Sequence, residues 1–147
     1  IDIPLARSWY EKAATKGNAK AMHNLGVLAA DGGGGKPDYA VAASWFRKAA
    51  ELGVRDSQYN LAILTARGLG VAQNLAESYM WFSLAAAQGD EDAGRKREDV
   101  AARLDATALA NAKAATDGFR AKTPDVGANE VTPPPGGWDD KAKSAKS

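Results

Sequence analysis

The chain holds a single histidine, His23, and no cysteine. An imidazole acting as general base needs a nucleophile to activate, and one acting as metal ligand needs further ligands; neither a second histidine nor a cysteine supplies them. His23 therefore reads as a structural residue in a helix. Asp90, Glu91 and Asp92 form the densest acidic cluster. They lack a loop that would wrap a cation, whereas negative charge at the start of a helix is favoured by its dipole, so they read as capping residues. Gly32 to Gly35 followed by Lys36 could cradle a phosphate only with a preceding strand and a Lys-Ser/Thr pair opening a helix. Pro37 stands where that hydroxyl should be, which leaves a flexible turn. Arg95, Lys96 and Arg97 are offset by Glu98 and Asp99, the pattern of a solvated helix face. Paired carboxylates, a triad and a metal cluster are all missing where a cleft would need them. The expectation is a chain without catalytic residues, bound cofactor or metal.

The elements that position these side chains follow from composition and period. Counting gives 32 alanines against 11 aromatic residues in 147, a balance that favours helices whose backbones approach closely. The formal net charge of +1 offers no footprint for nucleic acid. No apolar run reaches the roughly 18 residues that would suggest a membrane span. A start at Ile1, without Met or a signal-like segment, suggests a processed product or a fragment.

Trp9, Trp45 and Trp81 stand 36 residues apart, as do Gly17, Gly53 and Gly89 and the pairs Ala13-Ala14, Ala49-Ala50 and Ala85-Ala86. An aromatic follows each Trp at Tyr10, Phe46 and Phe82, and Asn24-Leu25 recurs as Asn60-Leu61. Each unit reads as two helices. First helices are predicted over about Pro4 to Lys16, Tyr39 to Leu52 and Leu75 to Gln88, with apolar residues at helical spacing, Asp38 and Asn74 as N-caps and the three glycines as stops. Second helices are predicted over about Ala19 to Ala30, Asp56 to Arg67 and Glu91 to Leu104. A hairpin of this size cannot bury its own apolar face, so stacking on neighbours must stabilise it. Each Trp is expected in that buried seam, with Trp45 in the middle repeat mattering more than Trp9.

The pattern Ala-x-x-Trp-aromatic-x-x-Ala-Ala-x-x-Gly followed by Ala-x-x-Asn-Leu-Gly, carried by residues 6 to 88, resembles the Sel1-like repeat, a relative of the tetratricopeptide repeat. Gly68-Leu69-Gly70-Val71 is similar to that family's inter-repeat Gly-x-Gly-Val. The resemblance implies an all-α, right-handed α/α superhelix of three 36-residue hairpins, about 2–37, 38–73 and 74–104, acting as a scaffold with no chemistry of its own. It also implies a groove lined by first-helix residues such as Arg7, Glu11, Arg47 and Glu51. The recurring Asn24 and Asn60 join that candidate set, because repeated Asn side chains in such grooves can hold an extended peptide, although a role within the fold is the stronger reading. Where the family usually has an aromatic, this chain has Ala29 and Thr65, predicting looser packing, and the first copy has His23. In the third copy Lys96-Arg97-Glu98 replaces Asn-Leu-Gly, so that hairpin reads as a terminal one.

Asp105 is a good N-cap for a capping helix over 106 to about 122, with Leu109, Ala112 and Phe119 inward, covering the open end of the stack. Residues 123–147, with Pro133-Pro134-Pro135-Gly136-Gly137 and then lysines, cannot fill a core and read as an extended tail. Trp138 is the exception and is expected to fold back onto the array. The ending resembles the C-terminal, periplasmic part of alphaproteobacterial cell-polarity scaffolds, implying a periplasmic or envelope location, with a cytoplasmic adaptor as alternative. The expected partner is a protein or peptide, with peptidoglycan as alternative, and neither nucleic acid nor membrane insertion is expected.

Overall fold

A computed structural model describes residues 2–122. Seven helices follow one another: α1 (Ile3–Thr15), α2 (Ala19–Asp31), α3 (Tyr39–Glu51), α4 (Arg55–Arg67), α5 (Leu75–Ala87), α6 (Glu91–Ala101) and α7 (Ala106–Gly118), with no strand among the described residues. Residues 123–147, and with them the expectations for the tail and Trp138, lie outside the described residues.

Local chemistry sets the boundaries. The side chains of Asp2, Asp38 and Asn74 accept from the backbone N–H of Leu5, Val41 and Glu77, each closing the first turn of a first helix. Gly17, Gly53 and Gly89 follow those helices at φ 94°, 90° and 98°, a conformation that side chains with a Cβ resist. Two predicted ends are corrected. The α6 helix stops at Ala101, not Leu104, because the N–H groups of Arg103 and Leu104 turn back to Val100 and Ala101 in tight three-residue steps. The α7 helix stops at Gly118, not Lys122, since Phe119 adopts an extended backbone.

Consecutive helices form hairpins, and each second helix packs on the next first helix, α2 on α3 and α4 on α5. The result is a solenoid of helical hairpins. Ala13, Ala49, Ala50 and Ala85 are wholly enclosed, which is how the repeated alanine pairs let helices touch. Gly26 of α2 lies so close to Phe46 of α3 that a Cβ would stand 2.6 Å from the ring. Equivalent backbone bonds close both inter-repeat loops: Asp38 N–H to Ala29 C=O and Asn74 N–H to Thr65 C=O, each 2.8 Å.

The seam differs from expectation in its aromatic. Tyr10, Phe46 and Phe82, the residues after the three repeat tryptophans, are essentially inaccessible, and of those three tryptophans only Trp81 is buried. Trp9 and Trp45 lie half-exposed on the first-helix face, each with a lysine one turn later over its ring, Lys12 at 5.6 Å and Lys48 at 4.6 Å. The Tyr/Phe points into the hairpin stack, so the adjacent Trp, about 100° further round the helix, points to its edge.

At the terminal helix Ala112 is buried and Leu109 and Phe119 pack against the core, the side expected to face inward. The α7 helix packs on α5 and makes little contact with α6, so it does not continue the array as a fourth first helix. The charged run Arg95 to Asp99 on α6 carries no apolar side chain for it, whereas α5 offers Trp81.

Candidate functional site

At the junction of the first two hairpins the packing leaves an open pocket between α1, α2 and α3. Arg7 and Glu11 stand on one side, Val41 and Trp45 on the other, with Leu28 and Ala29 between them and Lys36 and Asp38 at the rim. Ala29 is one of the two positions where the family's usual aromatic is missing, and here the expected looseness appears. At the other, Thr65, it does not. Thr65 is enclosed, and its hydroxyl donates to Leu61 C=O at 3.0 Å and Ala62 C=O at 3.1 Å. Val41, 44% exposed, and the half-exposed Trp45 give the pocket an apolar wall beside charged groups. The Arg7 guanidinium lies against Gly33 of the glycine run, and Gly32 lines the pocket.

The candidate groove residues separate into three groups. Arg7 and Glu11 face the pocket. Arg47 and Glu51 do not: Arg47 pairs with Glu77, and Glu51 accepts from Lys122 Nζ at 2.9 Å while its backbone C=O accepts from the Lys122 N–H at 2.8 Å. Asn24 and Asn60 are buried within α2 and α4, 5% and 2% exposed, so no ligand in a groove reaches them. Val41 and Trp45 were missed as site residues. Aligning the copies at 36 residues gives the signal: Leu5, Val41 and Glu77 share one register, and apolar residues stand where the third copy has a carboxylate.

That register explains why the next junction is closed. There Glu77 takes both the Arg47 guanidinium and the Trp81 indole N–H, the latter at 3.2 Å, and Phe119 stacks edge-on against Trp81 with centroids 5.6 Å apart. At the first junction Glu11 occupies the Arg47 position and Val41 the Glu77 position, so no such pair forms.

His23 has a partner that its sequence did not announce. Its Nδ1 lies 2.6 Å from Ser57 Oγ, with the ring tilted against Phe46. Ser57 is fully buried and His23 nearly so, which seals the pair from any substrate. Burial holds the imidazole below its ordinary pKa, only partly opposed by Asp56. The Tyr59 hydroxyl donates to Asp92; burial, then this bond, raises the phenol well above its usual range and the bond lowers the carboxyl. Asp90 caps α6 by accepting from Ala93 N–H at 3.0 Å, as its place predicts. No helix among the described residues is long and apolar enough to cross a membrane.

Comparison with known proteins agrees with this geometry. The family model described as Sel1 repeat matches residues 2–18, 19–54 and 55–90, the same period cut after each first helix. A protective antigen present in uropathogenic Escherichia coli strains, displaying an SLR fold, is 28% identical with a TM-score of 0.72 over 96% of this chain. A Sel1 repeat protein from Oxalobacter formigenes is 38% identical with a TM-score of 0.57 over 59% of this chain. This chain spans 28% and 36% of those two structures. No curated protein matches.

Proposed function

We propose that this chain, which belongs to the Sel1 repeat family, is a non-enzymatic scaffold module that holds a protein partner on its first-helix face. Sel1 repeat proteins are protein-interaction scaffolds, and the repeat mediates protein–protein contact. The observation that carries the reading to this surface is the pocket at the first junction. It sets an exposed Val41 and a half-exposed Trp45 beside Arg7 and Glu11, and an aromatic anchor with flanking charge is the composition of an interaction surface. Immobilised full chain, its Trp45→Ala variant and a Glu98→Ala control on α6 are compared for capture of protein from a cell extract. Capture lost with Trp45→Ala and kept with Glu98→Ala is expected. Equal capture by all three, or retention on purified sacculi without protein capture, overturns it, the latter in favour of a peptidoglycan-binding module.

The finer reading is that the module is the periplasmic part of a bacterial cell-pole localisation factor similar to PodJ. What supports it is the run Val131-Thr132-Pro133-Pro134-Pro135-Gly136-Gly137-Trp138-Asp139 after the repeats and a short helix. A fluorescent fusion of the parent protein, with and without these residues, should place a polar focus in the envelope. A diffuse cytoplasmic signal in both would instead make this a cytoplasmic adaptor.

A further inference from the structure

We propose that the open pocket of the first junction is the docking site of the chain's own carboxy-terminal segment, residues 123–147, with Trp138 against Trp45 and Lys141 at Glu11.

The path of the described chain leads there. After α7 the backbone extends across the first-helix face: Phe119 meets Trp81 of the third hairpin, Ala121 lies beside Gly53, and Lys122 ties to Glu51 of the second. From Phe119 to Lys122 the chain thus moves one hairpin towards the amino terminus. The next position in that direction is the first junction, whose Trp45 occupies the register of Trp81 and lacks the ring that covers Trp81.

The segment carries what that junction lacks. Phe119-Arg120-Ala121-Lys122 places an aromatic on a repeat Trp and, three residues later, a lysine on a first-helix carboxylate. Trp138-Asp139-Asp140-Lys141 repeats that spacing. Glu11 makes no ion pair among the described residues and faces the pocket with Trp45, which gives Lys141 its carboxylate. Arg7 and Lys36 stand beside them for Asp139 and Asp140.

Length permits the connection. Six residues of α3 separate Trp45 from Glu51, about 9 Å at 1.5 Å per residue. The 16 residues from Lys122 to Trp138 span roughly 20 Å as a flexible chain and over 50 Å extended.

Because the chain has no cysteine, a single Ser144→Cys change takes one nitroxide label. In the isotope-labelled full chain, the indole signal of Trp45 and the amide of Val41 should lose most of their intensity while those of Glu98 on α6 keep theirs. Trp138→Ala, which alters no described helix, should restore them. Loss at Trp45 only when nitroxide-bearing and isotope-labelled chains are mixed would mean that a second copy fills the pocket and would overturn the proposal. So would intensities unchanged at Trp45 and Val41, or attenuation equal on all faces. Either result leaves the partner-binding reading of the same face untouched.

Discussion

At the scale of single residues, the two least ordinary placements are a histidine and a glycine at the first two hairpins. His23 is enclosed, bonded to Ser57, and its Nε2 has no hydrogen-bond partner among the described residues. Its folded pKa lies below the unfolded value of 6.5, so the unfolded chain takes up the proton first. Stability from this residue is therefore complete above about pH 6.5 and is lost as the pH falls from there towards the folded value, at no more than about 1.4 kcal/mol per pH unit. Urea midpoints measured from pH 7.5 down to pH 5 should fall more steeply for the natural chain than for His23→Phe; parallel slopes would contradict the assignment. For Gly26, an added methyl meets the enclosed Phe46 ring at 2.6 Å. Alanine gains about 1 kcal/mol of helix propensity over glycine, but overpacking of a filled core costs about 1–3 kcal/mol. Gly26→Ala should lower stability, and Phe46→Leu in the same chain should recover part of the loss in a double-mutant cycle.

At the scale of elements, the three tryptophans share a register and differ in what covers them. Trp81 is buried beneath Phe119, while Trp45 is half-exposed under Lys48. Trp81→Ala should therefore cost about 3–5 kcal/mol, and Trp45→Ala about 1–2 kcal/mol, since only part of its surface and one cation–π contact are lost. Denaturation monitored by circular dichroism checks the order, and equal losses would contradict it. The sequence places all three tryptophans in the buried seam and ranks only Trp45 above Trp9, and the difference has a physical reason. A period of 36 residues identifies equivalent positions, and caps such as Asp38 and Asn74 fix where helices start, so five of the seven helices among the described residues could be read to within a residue of their ends. Which of two adjacent aromatics enters the seam depends on helix rotation, and one residue of rotation exchanges Trp45 for Phe46. The pocket was half legible: Arg7 and Glu11 followed from the family groove, whereas Val41 became visible only against Glu77 in the third copy. Arg47 and Glu51 escaped for the opposite reason, because their partners Glu77 and Lys122 lie 30 and 71 residues away and no local pattern joins them.

For the whole molecule, a solenoid has no single centre, and its stability is a sum over hairpins and the junctions between them. The apolar interior divides accordingly. One cluster joins α3, α4, α5 and parts of α2, α6 and α7, with Phe46, Tyr59, Trp81 and Phe82 as its bulk. A smaller one joins α1 and α2, built around Tyr10, Leu25 and Leu28 with four of its nine members alanine and one more, Ala49, reaching in from α3. The junction between them is also the one left open beside Trp45, whereas the second junction is tied by Arg47 to Glu77, by Ser78 to Ala62 C=O at 2.8 Å, and by Gln88 to Gly53 C=O at 2.9 Å. Fewer side-chain hydrogen bonds and ion pairs tie the first hairpin, which stands at the end of the stack, to its neighbour, so it should open at lower free energy than the rest. Native-state amide exchange should show α1 and α2 exchanging through a partial opening while the central amides of α4 and α5 exchange only on global unfolding. The same measurement on Trp45→Ala should widen the gap, since that ring packs against the α1/α2 cluster from α3. If α1 exchanges as slowly as α5, the two clusters act as one cooperative unit and the open junction is no mechanical weak point.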